Sequence, residues 1–181
     1  MDRTIAMKGK IENKLIQGSY PLHQHLLIMG RNTKGYPLEE ITEMLYVVLN
    51  SDIEITIVCG TDRELFSRME SAYQGVENVH VFNDTADVLT LMDNADLLLT
   101  DMDQGVITEA VTRELPVIVL STFGHLTYYI NLLSEKGCVV MKGNEIDACK
   151  CCDEMLNNPE IIAQIKHSMR HLLREESTEG K

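Results

Sequence analysis

The sequence predicts an α/β fold: a Rossmann-like, doubly wound parallel sheet of six strands with helices on both faces. Three observations carry this. Short apolar runs (HLLIMG, IEITIVCG, NVHVF, LLLT, VIVL and CVVM) alternate with stretches whose apolar residues recur at helical spacing. Strands separated by helices of this length need crossover connections, which favour parallel pairing and a right-handed path. The chain of 181 residues is long enough for one α/β core and short for two, and no short repeat or low-complexity block interrupts it. The expected strand order is 3-2-1-4-5-6.

Residues 1–24 read as a lead-in or helical arm, with Ile5, Ile11, Leu15 and Ile16 among lysines, broken by Gly18, Ser19 and Pro21. A single domain spans 25–176. It opens with HLLIMG and a polar loop, followed by a helix whose apolar positions are Leu38, Ile41, Leu45, Val48 and Leu49. IEITIVCG ends at Gly60, and Thr61 or Asp62 can cap the next helix, which stops near Gly75. NVHVF precedes a helix that turns Val88, Leu91 and Met92 inward. LLLT, VIVL and CVVM complete the strands. The last helix carries Ile161, Ile165, Met169 and Leu172 on one stripe, with Ile162 and Leu173 beside it, and the tail 177–181 is expected to fray.

Sixteen basic against twenty-eight acidic side chains give a formal charge of −12, which argues against nucleic acid and against nonspecific attachment to an anionic membrane. No window approaches the ~20 apolar residues of a membrane-crossing helix, and the first residues lack the apolar core of a signal peptide, so a cytoplasmic location is expected. Five cysteines, three of them crowded in CKCC, form no disulfide framework. CKCC lacks a second pair at ligand spacing and sits in a predicted helix, so buried or half-exposed thiols are expected there rather than zinc.

In such a sheet the turns after the strands face ligands. The loop after strand one holds Gly30, Arg31, Asn32, Thr33 and Lys34 before a helix, where backbone amides and the helix dipole attract phosphate, but it matches no glycine-rich fingerprint. TDMDQG leads into the helix that carries Glu109; spacing alone favours a solvent-facing glutamate over a ribose contact. Asp101 and Asp103 flank Met102, and acidic residues before a helix are more often caps than metal ligands. In STFGHL, His125 is either a donor to phosphate or sugar or a plain polar residue beside Gly124. His167 and His171 have metal-like spacing, yet no acidic partner is apparent for them, so they are read as solvated; His23 and His25 carry no further signal. Neither a GxSxG elbow nor an HExxH pair is present. No metal site is expected.

Taken in order, LLIMG with its EEI helix, ITIVCG, VHVFNDTADVLTLMDNADLLLT, the TEA of Thr108 to Ala110, LPVIV and the Gly124 loop make residues 27–140 resemble a known family. It is the C-terminal, donor-binding half of GT-B fold glycosyltransferases of family 28, which includes the diacylglycerol glucosyl- and galactosyltransferases and the GlcNAc transferase of the peptidoglycan lipid intermediate. The resemblance implies a UDP-sugar donor, transfer of a hexose to a lipid-type acceptor, and no cofactor or metal. It places Glu109 on the donor ribose, main-chain groups from Asn83 to Thr85 on uracil, Gly30 to Thr33 near the diphosphate, Gln104 and Gly105 at the phosphate-facing helix start, and Gly124 and His125 at the sugar. It also implies a missing or separate N-terminal acceptor half, or a homo-oligomer formed through the exposed cleft face, with the membrane reached only through such a partner.

The sequence departs from that pattern at the helix start. Asp103-Gln104 stands where relatives have a Gly-Gly pair, and an aspartate there can cap the same amides that would bind phosphate and repel a diphosphate. The alternative reading is a non-catalytic GT-B-like domain that serves in partner binding or regulation.

Overall fold

The structure, a computed structural model, describes residues 24–30, 36–84, 87–101, 103–121 and 127–179, apart from the side chains of 176, 178 and 179. The strands are β1 (His25–Met29), β2 (Glu54–Val58), β3 (Val79–Phe82), β4 (Leu97–Thr100), β5 (Val117–Leu120) and β6 (Val139–Lys142). They pair in parallel in the order β3-β2-β1-β4-β5-β6, as predicted. All residues of β1, β4 and β5 are buried, so these strands are covered on both faces, as parallel sheets require.

The helices are α1 (Leu38–Val48), α2 (Arg63–Ala72), α3 (Val88–Asp93), α4 (Gln104–Thr112), α5 (Tyr128–Glu135), α6 (Glu145–Leu156) and α7 (Pro159–Glu179). Side-chain caps start four of them. Asp62 accepts from Leu65 N, Asp103 from Val106 N, Thr127 from Ile130 N and Asn144 from Asp147 N. After β6 the chain crosses back: α6 packs against α1, β4 and β5, and α7 then reaches α4. The stripe of α7 is buried at Ile165, Met169 and Leu172, and the helix continues to Glu179, past the expected end of the domain at 176. Among the described residues no helix is long and apolar enough to cross a membrane.

Two details differ from the sequence reading. Val48, assigned to the inward stripe of α1, is 52% exposed at the last helical position, and Leu49 after it turns into the core. His25 is a buried anchor. Its Nδ1 donates to the Asn94 carbonyl at 2.9 Å, Nε2 bonds Thr56 Oγ1 at 2.7 Å, and its backbone N–H donates to Asp96 at 2.9 Å, tying β1 to β2 and to the entry of β4.

The turn from α4 to β5 contains Glu114, the one non-glycine residue with positive φ among those described (55°). It occupies the left-handed position that glycine commonly fills after a helix, and the amide of Leu115 returns to Ala110 O at 2.9 Å. Its carboxylate pairs with Arg170 of α7 at 3.3 Å.

All five cysteines are free and buried, those of CKCC on the inner side of α6. Burial pushes the Cys59 thiol up to about 12 and Cys149 up to about 11, and raises Cys152 well above its usual range. Unfolded thiols ionise near pH ~8.5, so above that the unfolded chain releases protons that the folded chain keeps. Stability should therefore fall as pH rises from about 9 toward 12. Urea midpoints across that range test this. Iodoacetamide at about pH 8 should leave the native thiols largely unlabelled and label them all in urea, because the thiolate is the reactive form.

Candidate functional site

Sheet order fixes where a ligand can sit. The chain winds outward from β1 through β2 to β3, then returns to β4 on the other side of β1, so the connections after β1 and β4 diverge above the sheet. A cleft of about 400 Å³ opens there. Its floor is Met29, Gly30, Val58 and Gly60 at the ends of β1 and β2. One wall is α3, with Val88, Leu89 and Met92; the other is the start of α4, with Gly105, Val106 and Glu109. Asp84, after β3, completes the lining.

Of the residues singled out in the sequence, Gly30, Gly105 and Glu109 line this cleft together. Asn83 and Gln104 stand immediately beside lining residues. Asn83 Oδ1 is buried without a hydrogen-bond partner, and Gln104 is the exposed first residue of α4, whose carbonyl accepts from Thr108 Oγ1 at 2.8 Å. Arg31, Asn32, Thr33, Thr85, Gly124 and His125 lie outside the described residues, as do Lys34 and residues 1–23 of the lead-in, His23 among them.

Gly30 has a packing reason to be glycine. A Cβ there would lie 2.6 Å from Cδ1 of Tyr36, whose ring is buried against it. Burial, then the nearby Asp101 carboxylate, raises the Tyr36 phenol well above its ordinary value.

Glu109 faces the cleft from the second turn of α4, and its Oε1 accepts from Arg113 Nε at 2.9 Å. Arg113 also bonds the Asp93 carboxylate at the end of α3. These two carboxylates, Asp93 first, hold the guanidinium above its already high range. The Glu109–Arg113 spacing was visible in the sequence; the apolar α3 wall and the Asp93 link were not singled out. Val88 and Met92 were read only as inward residues.

At the start of α4, Asp103 Oδ1 accepts from Val106 N at 3.0 Å, and Asp103 N donates to Asp101 Oδ1 at 3.3 Å. The aspartate caps α4 as its place in the sequence indicated, and its carboxylate occupies part of the helix start. His171, read as having no acidic partner, pairs with Glu175 one turn on at 3.3 Å, a contact made on the exposed face of α7. Among the described residues no group of three or more His, Cys, Asp and Glu side chains is gathered to hold a metal ion.

A cleft at the switch point of a six-stranded parallel sheet lies where open α/β folds take their ligands. Solved structures narrow the fold. The chain is similar to the glycosyltransferase WaaG of lipopolysaccharide biosynthesis (23% identity, TM-score 0.63), covering 90% of this chain and 45% of that one. It is similar to the C-terminal CMP-Kdo binding domain of WaaA from Acinetobacter baumannii (14%, 0.66), covering 91% of this chain and 96% of that domain. It is similar too to the UDP-GlcNAc 2-epimerase of Neisseria meningitidis solved with UDP-GlcNAc (14%, 0.65), covering 94% and 48%. No family model and no curated protein matches the sequence.

At these identities the likeness is one of fold: the chain is a Rossmann-like half of the GT-B type, about half the length of WaaG and of the epimerase. Because it extends to an epimerase, it marks that fold rather than family 28 in particular.

Asp103→Ala should lower stability by about 0.5–2 kcal/mol through loss of the α4 cap, while Asp103→Asn, which keeps an acceptor, should cost much less. Urea midpoints of the two variants measure the difference.

Proposed function

We propose that the chain is the donor-binding half of a glycosyltransferase, taking a UDP-sugar and passing its hexose to a lipid-type acceptor held by an N-terminal half or a separate partner. The observation that carries the reading is the cleft at the switch point with Glu109 on its wall. A nucleotide-activated sugar is the ligand class common to the named WaaA domain and the epimerase. The size of the cleft suits a nucleoside, its apolar α3 wall suits the flat base, and a carboxylate is the natural acceptor for the two ribose hydroxyls. In this reading Gly30 to Thr33 and the start of α4 at Gln104 and Gly105 lie toward the diphosphate, Asn83 to Thr85 toward the uracil, and Gly124 and His125 toward the sugar. Helix dipoles and side chains, rather than a metal, stabilise the leaving diphosphate.

A second reading has a specific observation in its favour. The Asp103 carboxylate sits on an α4 amide that phosphate would otherwise use, and its charge opposes a diphosphate. A domain that keeps the fold but binds a protein partner or serves in regulation would tolerate that residue.

Thermal shift separates the two. UDP or a UDP-sugar at ~100 times Kd should stabilise a one-site binder by ~2.7 kcal/mol, a rise of several degrees in Tm. Absence of any rise at millimolar nucleotide would rule out the donor reading for this chain. Glu109→Ala should remove most of the rise, and an unchanged titration would refute the ribose assignment.

Replacing Asp103-Gln104 with Gly-Gly should tighten UDP more than uridine if the carboxylate competes with phosphate. Equal effects on the two ligands, measured by calorimetry, would count against competition.

A further inference from the structure

We infer that Arg113 is the positioning residue of this cleft: it fixes Glu109 for the ribose and ties together the two helices that form the cleft walls. The inference rests on the nucleotide reading above. Arg113 is bonded at both ends of its guanidinium to carboxylates from different walls. Nε donates to Glu109 Oε1 at 2.9 Å on α4, and a terminal nitrogen donates to Asp93 at the end of α3. Its own backbone N–H donates to the carbonyls of Glu109 and Ala110 at 3.1 Å, so the side chain reaches back from a fixed base. It is also the most shielded member, 25% exposed against 42% for Glu109 and 54% for Asp93.

A second arginine pair shows what is particular here. Arg68 takes both oxygens of Glu39, at 2.9 and 3.1 Å, which saturates that carboxylate in a contact between α2 and α1 that does not line the cleft. Arg113 takes only one oxygen of Glu109, through Nε, and a terminal N–H goes to Asp93. Among the described residues Glu109 Oε2 carries no hydrogen bond, which leaves it to accept from a vicinal diol. Without the arginine, the glutamate regains its rotamers and the α3 wall loses its polar tie to α4. An exposed ion pair at this spacing adds little to stability, so the effect should appear in selectivity.

The test compares Kd for UDP and 2′-deoxy-UDP by calorimetry on the full chain. The wild type should prefer UDP by about tenfold or more, the size expected for a hydrogen bond to a charged group. Arg113→Met should bring that preference within about threefold, with Arg113→Lys between the two, whereas Arg68→Met should leave it unchanged. A ratio is independent of the fraction folded, and Arg113→Lys keeps the charge if Arg113→Met folds poorly. Full preference retained in both Arg113 variants would overturn the inference while leaving the nucleotide reading intact. A wild type that binds UDP with no preference would instead refute the ribose contact, and a wild type that binds no UDP would refute the donor reading; either takes this inference with it.

Discussion

Everything in this fold follows from the burial of β1. Its five residues are buried, and it bonds β2 on one side and β4 on the other. A strand of that kind demands helices above and below, and the right-handed crossovers that supply them must leave it in one direction and return in the other. The reversal leaves a crevice beside its carboxyl end. The cleft is therefore a product of the winding, present before any side chain in it is chosen. Its lining then decides what it can hold: an apolar wall, three glycines, and the carboxylates Asp84 and Glu109.

The sequence was most legible where a residue acts within its own segment. Apolar runs marked the strands, their alternation with helices gave the order of the sheet, and Asp103, with one of Thr61 and Asp62, was recognisable as a cap because a cap bonds an amide three residues away; Asp62 is the one of that pair that does so. It was least legible where the partner is distant in sequence. Nothing local shows that His25 meets Asn94 and Thr56, or that Arg113 reaches Asp93. The α3 wall was hidden for another reason: an apolar stripe that faces a cleft has the same period as one that faces the core. Val48 failed at the helix end, where α1 stops before its stripe completes another turn and Leu49 takes the buried place.

The start of α4 brings two uses of one helix end into competition. Backbone amides there can serve a ligand's phosphate or the protein's own carboxylate, and Asp103 takes the second course at Val106. Glu109, farther along the same helix, is untouched by that choice. In the donor reading, the nucleoside side and the phosphate side of the cleft can thus change independently, and a domain can weaken one while keeping the shape of the other. A likeness of fold to nucleotide-sugar proteins is compatible with either state.

The turn after α4 has a consequence for chain length. Arg113 holds α3, Glu114 holds α7, and the left-handed backbone at Glu114 sends the chain directly into β5. Two adjacent residues thus fasten three helices and a central strand. Surface turns ordinarily absorb inserted or deleted residues at little cost. This one cannot, since a shift of a single position would carry one of the two side chains into the other's place, opposite a partner of its own charge. Natural variation in length should therefore avoid this turn and collect in other loops of the chain.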